Sequence, residues 1–232
     1  TTIEGRTLTE QEKSFTVPLI IAGGTVWKDH PQREQVRVKT TEHIDAEGPL
    51  ENVVMEGRSI NATKKVGCEA HLLADGDITV AGLVIDNPRI ISRKGKIIID
   101  GDIVVISGAH IEAEGDVVIT GRIYRVREKE HEGERIKWAT IISHSGNIYF
   151  GQDIDSVNAM AHVGNIEFRG GKAVYANLQA REDIHCRGLI EYSELASMYG
   201  KVVLAKRGDG VVIEAPPDKV IVGGAAATAR TL

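Results

Sequence analysis

Two cysteines in 232 residues, Cys68 and Cys186, are too few for a disulfide framework. They share no C-x-x-C spacing, and no histidine pair completes a metal set with either, so both read as buried free thiols. Aromatic residues make up 4% of the chain, a thin supply for a sugar-binding groove. No stretch approaches the roughly 20 apolar residues of a membrane span. The opening "TTIEGRTLTEQEKSF" carries charge where a signal peptide needs an apolar core. Basic residues are not in excess: 28 Lys and Arg against 33 Asp and Glu give a net charge of -5, without the basic surface that binds nucleic acid. A Walker loop, a G-x-S-x-G elbow and a dinucleotide fingerprint opening a helix are all missing. These absences lead to the expectation of a protein made in the reducing cytoplasm, with neither a membrane span nor a nucleic-acid partner.

What is present is a repeat. "ADGDITVAG" (74–82), "RKGKIIIDG" (93–101), "AEGDVVITG" (113–121), "SHSGNIYFG" (143–151), "HVGNIEFRG" (162–170), "AREDIHCRG" (180–188) and "MYGKVVLA" (198–205) share the pattern G-[D/K/N]-[I/V]-x-[large apolar]-x-G. Starts at 76, 95, 115, 146, 164, 182 and 200 give steps of 19, 20, 31, 18, 18 and 18. A fixed period of this size marks a solenoid whose units bury their apolar edges only by stacking. Alternation with period two makes those units strands. Three strands and three corners consume roughly 18 to 20 residues at ~3.3 Å each, one coil of a triangular β-helix. The long step holds "RVREKEHEGERIK", a mixed-charge insertion at 125–137 expected to leave the coil as a solvated loop.

Equivalent residues of successive coils become neighbours at ~4.8 Å, so ladders can be read from the text. One inward column runs Ile78, Ile97, Val117, Ile148, Ile166, Ile184, Val202, and a second runs Val80, Ile99, Ile119, Phe150, Phe168, Cys186, Leu204. An outward column holds Asp77, Lys96, Asp116, Asn147, Asn165, Asp183 and Lys201, read as fixing register by avoiding like charges in contact. The glycines fit corners that need a positive φ or leave no room for a Cβ.

The expected fold is all-β: a single-stranded β-solenoid of seven or eight coils over residues 51–214, beginning with a degenerate coil at "MEGRSINA" (55–62). Residues 1–50 form a non-solenoid anchoring or capping segment with short strands, and 215–232 a C-terminal cap and tail. Open solenoid ends expose strand edges. The apolar "FTVPLIIAGGTVW" (15–27) is therefore expected to pair with another chain, a sister copy or another structural protein.

The repeats resemble those of polymer-forming bacterial β-helix proteins, the bactofilins and the flagellar-assembly protein A family, over residues 57–214. Similar coils occur in phage virion proteins. The resemblance implies a non-enzymatic scaffold that works by assembly, as a homo-oligomer, in a virion or a cytoskeletal polymer.

An enzyme is the rival reading, since β-helices host polysaccharide lyases and glycoside hydrolases that need converging carboxylates. Asp75, Asp77, Asp100, Asp102 and Asp116 cluster in sequence, at corner-flanking positions where turn chemistry already accounts for Asp. His110, His144, His162 and His185 are available, but the strict six-residue repeat of left-handed β-helix acyltransferases is missing. His144 and His162 should stack in adjacent coils without a third metal ligand in the obvious columns. No catalytic, cofactor-binding or metal-binding residue is assigned.

Overall fold

The computed structural model describes residues 36–67, 69–126, 138–216 and 218–223, with strand backbone also placed at Thr2–Ile3, Ser14–Phe15, Leu19–Ile21 and Ala225–Ala226. Cys68 and most of the charged insertion, 127–137, lie outside the described residues. The chain winds as a three-faced parallel β-solenoid of about ten coils with no helix among the described residues. In the first complete coil Val36–Thr40 lies on face A, His43–Ala46 on face B and Leu50–Glu51 on face C. Each strand pairs in parallel with its equivalent one coil on: Val38 with Met55, Ile44 with Ile60, Leu50 with Val66.

Ten coils exceed the seven or eight expected because the solenoid starts before residue 51 and runs on past 214, where Val220–Val222 pairs with residues 202–204. "EQVRVKTTEHI" reads as isolated strands by itself, yet it supplies faces A and B of a regular coil. The coil at 53–67 is also in phase, with Ile60 and Ala62 opposite Ile78 and Val80. Earlier still, Leu19–Ile21 pairs with Ile44, Asp45 and Ala46, and Thr2–Ile3 pairs with Ile20 and Ile21. Part of the apolar N-terminal run therefore continues the stack of face B. At the other end Val220–Val222 closes face B and takes Ala225–Ala226 as an antiparallel neighbour.

Both inward columns of face B are buried throughout, from 0% exposure at Ile78 to 3% at Cys186. Faces A and C each add a further column to the core. Face A contributes Val38, Met55, Leu72, Ile90, Ile111, Ile141, Ala159, Leu178, Leu195 and Ile213; face C contributes Leu50, Val66, Val84, Ile103, Ile123, Ile154, Ala173 and Ile190. Phe150 and Phe168, the two largest buried side chains, sit opposite each other in neighbouring coils. The small-residue column at the A-to-B corner holds Ser92 and Ser143. The Ser143 hydroxyl donates to the Gly115 carbonyl of the preceding coil (2.9 Å) and accepts from the Gly146 N–H of its own turn (3.1 Å), so a buried polar group is satisfied.

The corners differ in mechanism. At the B-to-C corner the repeat glycines have no positive φ; close approach selects them. A Cβ at Gly101 would fall on the Gly82 carbonyl oxygen, and one at Gly121 on that of Gly101, well inside the 3.0 Å that real Cβ atoms keep. The C-to-A corner does need the left-handed region, filled by Asn52, Glu69, Asn87, Gly108, Ser156, Tyr175, Tyr192 and Gly210. Ile123–Arg125 and Ala139–Ser143 flank the charged insertion at this same corner. Ala139 still pairs with Ala109 and Ile154 with Ile123, so the coil phase passes across the insertion unbroken.

Val117 lies between Ile97 and Ile148 at 0% exposure. Val117→Asp places an unpaired carboxylate in that stack and is expected to destabilise the fold by about 4 kcal/mol or more, read as insoluble protein or a collapsed melting temperature. Soluble protein with an unchanged melt would contradict the column.

Candidate functional site

Outward positions are where function can reside, and the corner columns prove to be bonded from coil to coil. Asp77 accepts the Lys96 backbone N–H (3.0 Å), Asp116 that of Asn147 (2.7 Å), Asn147 that of Asn165 (2.9 Å), Asn165 that of Asp183 (2.8 Å) and Asp183 that of Lys201 (2.7 Å). The column expected to hold register by alternating charge holds it by side-chain acceptors on the next coil's backbone. Lys96 and Lys201 offer no acceptor. For Asp183 burial opposes the charge, but the Lys201 N–H and His185 outweigh it and keep the carboxyl below its ordinary value. A parallel set runs along the B-to-C corner, where Asp102 accepts the Arg122 N–H (2.8 Å) and Asp153 that of Lys172 (2.8 Å).

The five aspartates considered for catalysis are distributed among these bonds. Asp77 and Asp116 hold backbone; Asp102 also pairs with the Arg122 guanidinium at 2.8 Å, which keeps its carboxyl low. Asp75 pairs with Arg93 (3.2 Å), and Asp100 accepts from Thr120 (3.2 Å). Cys186 is an apolar filler whose thiol burial pushes up to about 12.

The histidines are brought together more than their spacing indicates. The His144 and His162 rings stack at 5.2 Å and 12°, as adjacent-coil neighbours should. Glu112 joins them: its carboxylate pairs with His144 Nε2 and His110 Nε2, each at 2.8 Å. Bonding by His144 first and His110 second holds that carboxyl below its ordinary value. Glu112 lies 32 residues before His144 across the insertion, and only the aligned face A ladder reveals the contact. His185 instead pairs with Asp183 at 3.3 Å. Among the described residues no group of three or more His, Cys, Asp or Glu is arranged to hold a metal ion, and no helix is long and apolar enough to cross a membrane.

Grooves on faces A and C are lined by described residues. One, of about 330 Å³, lies on face A over Met160, Gln179 and Ala196, rimmed by His162, Arg181 and Glu214. The other, of about 500 Å³, lies on face C between Arg122, Tyr124, Asp153, Asp155 and Lys172. There Arg122 stacks over the Tyr124 ring at 5.6 Å, and Lys172 pairs with Glu191 at 2.7 Å. Asp153 and Asp155 went unnoticed in the sequence because face C has the shortest strands. The signal available was their alternation about inward Ile154.

Face A carries the widest outward surface. Its central column reads Lys39, Glu56, Leu73, Ile91, Glu112, Ile142, Met160, Gln179, Ala196, Glu214, with half-buried aliphatic residues on either side of Glu112 between charged ends. No family model matches the chain, and neither a curated protein nor a solved structure matches it.

A depressed carboxyl adds stability above its ordinary pKa and loses that contribution as pH falls through the folded value. The stability difference between the native chain and Glu112→Gln is therefore expected to shrink as pH falls below about 4.3, the ordinary glutamate value. Melting curves at successive pH values check it, and a difference that stays constant would contradict the Glu112 assignment.

Proposed function

We propose that the chain is a non-enzymatic structural element, a rigid β-solenoid that assembles with copies of itself or decorates a larger particle, in a virion or a cytoskeletal polymer. One observation carries the reading: the polar groups at the corners are engaged between coils, while the central column of face A offers Leu73, Ile91, Ile142 and Met160 in its middle coils, interrupted by Glu112. Such a surface recognises by shape and burial. The N-terminal strands fit the same role. Thr2–Ile3 is the outermost described strand of the face B stack, in position to pair with a strand of another chain.

The rival reading, a polysaccharide lyase or glycoside hydrolase, draws on the face C groove with its two carboxylates and Tyr124. A glycosidase acid needs a carboxyl pushed above its ordinary value. Beside that groove the Arg122 guanidinium and N–H hold the Asp102 carboxyl below its ordinary value, and the bond to the Glu191 carboxylate raises the Lys172 ammonium above its own.

Light scattering over a concentration series, beside a screen on uronate and neutral glycans, separates the two. The structural reading expects mass to rise with concentration and no glycan turnover. Clear turnover abolished by Asp153→Asn and Asp155→Asn would replace it with the enzyme.

A further inference from the structure

The charge on face A is arranged along the solenoid axis. Arg37 and Lys39 stand in the first coil and exposed Arg89 in the fourth; Glu194 and Glu214 stand in the ninth and tenth. Between the ends the central column is mostly aliphatic, with half-buried Leu73, Ile91, Ile142 and Met160. Glu56, the acidic residue among the basic coils, is already bonded to Lys39 at 3.0 Å and Arg93 at 3.2 Å. The neighbouring outward column is polar through the middle coils, with His71, Arg89, His110, Thr140, Asn158 and Asn177. A surface basic at one end, acidic at the other and uncharged over most of its middle is complementary to itself when one copy is reversed.

We infer that face A is a self-complementary docking surface for a second copy of this chain, packed face to face with the solenoid axes antiparallel. The inference deepens the structural reading above and rests on it. The twofold axis runs along the strand direction between the fifth and sixth coils, so each coil meets the coil equally far from the other end. Lys39 then faces Glu214 of the second copy, with Arg37 within a coil of Glu194. Ile91 faces Met160, and Leu73 faces Gln179. Glu112 sits beside the axis, and its two histidine bonds satisfy the carboxylate before water is expelled. The parallel alternative brings Lys39 onto Lys39 and Glu214 onto Glu214, a like-charge arrangement that disfavours it.

The area suffices. Ten coils at ~4.8 Å and strands of up to five residues at ~3.3 Å make a face of about 800 Å² per copy, the size of a standard specific interface. Two flat sheets packed ~10 Å apart are an ordinary layer arrangement.

Sedimentation equilibrium of the full chain tests the inference with Lys39→Glu, Glu214→Lys, the double exchange K39E/E214K, and Ile91→Asp. The parent should form a dimer that weakens at high salt. Each single charge reversal and Ile91→Asp should raise the dissociation constant about tenfold or more, and the double exchange should return it to near the parent value. These positions point outward, so circular dichroism and the melting curve should stay unchanged; Ile91→Asp keeps the test open if Lys39→Glu disturbs its bond to Glu56. A monomer at every concentration overturns the inference. An assembly indifferent to all the substitutions also overturns it, while leaving the structural reading on another contact; glycan turnover would instead remove that reading.

Discussion

Everything in this molecule depends on one constraint: the neighbour of each residue is its own equivalent one coil away. Backbone hydrogen bonds run along the axis, from Ile78 to Lys96, Ile97 to Asp116, Val117 to Asn147, Ile148 to Asn165, so no coil satisfies its polar backbone alone. A side chain must therefore suit a column, and each column has its own rule. Inward columns admit apolar side chains, mostly aliphatic with Phe150 and Phe168 in neighbouring coils, the A-to-B corner small residues or serine, the B-to-C corner glycine where the coil beneath lies too close for a Cβ. A misfit is felt by two neighbours, which is why the core has so little variety.

The same constraint explains the polar chemistry. A carboxylate at a corner has a backbone N–H of the following coil within reach, and bonding it costs less than leaving the donor unmade. Asp and Asn are interchangeable here because each presents an acceptor oxygen, whereas Lys ends the run. Clustered acidic residues that resemble a catalytic group in one dimension are thus spread along the axis in three, each with its own partner.

Much of the fold was legible in the sequence for that reason. The face B columns could be read because a glycine brackets each strand, and the stacking of His144 on His162 follows from their spacing of one coil. Face A was harder to read, lacking a bracketing residue; its alternation shows only once face B fixes the phase. The solenoid's first coil, at 36–51, was read as separate strands since Glu42 stands where Gly76, Gly95 and Gly115 open face B in later coils. Glu112 was invisible as a partner of His144 because the insertion separates them in the chain. Asp153 and Asp155 lacked any marker beyond a two-residue alternation.

A solenoid that works through a face differs from one that works through its ends, and small-angle X-ray scattering distinguishes the two in solution. Ten coils span about 48 Å along the axis. On raising the concentration, the account predicts a doubled mass and a larger cross-section at nearly constant maximum dimension. Growth of the maximum dimension at constant cross-section would contradict it, placing the contact between solenoid ends.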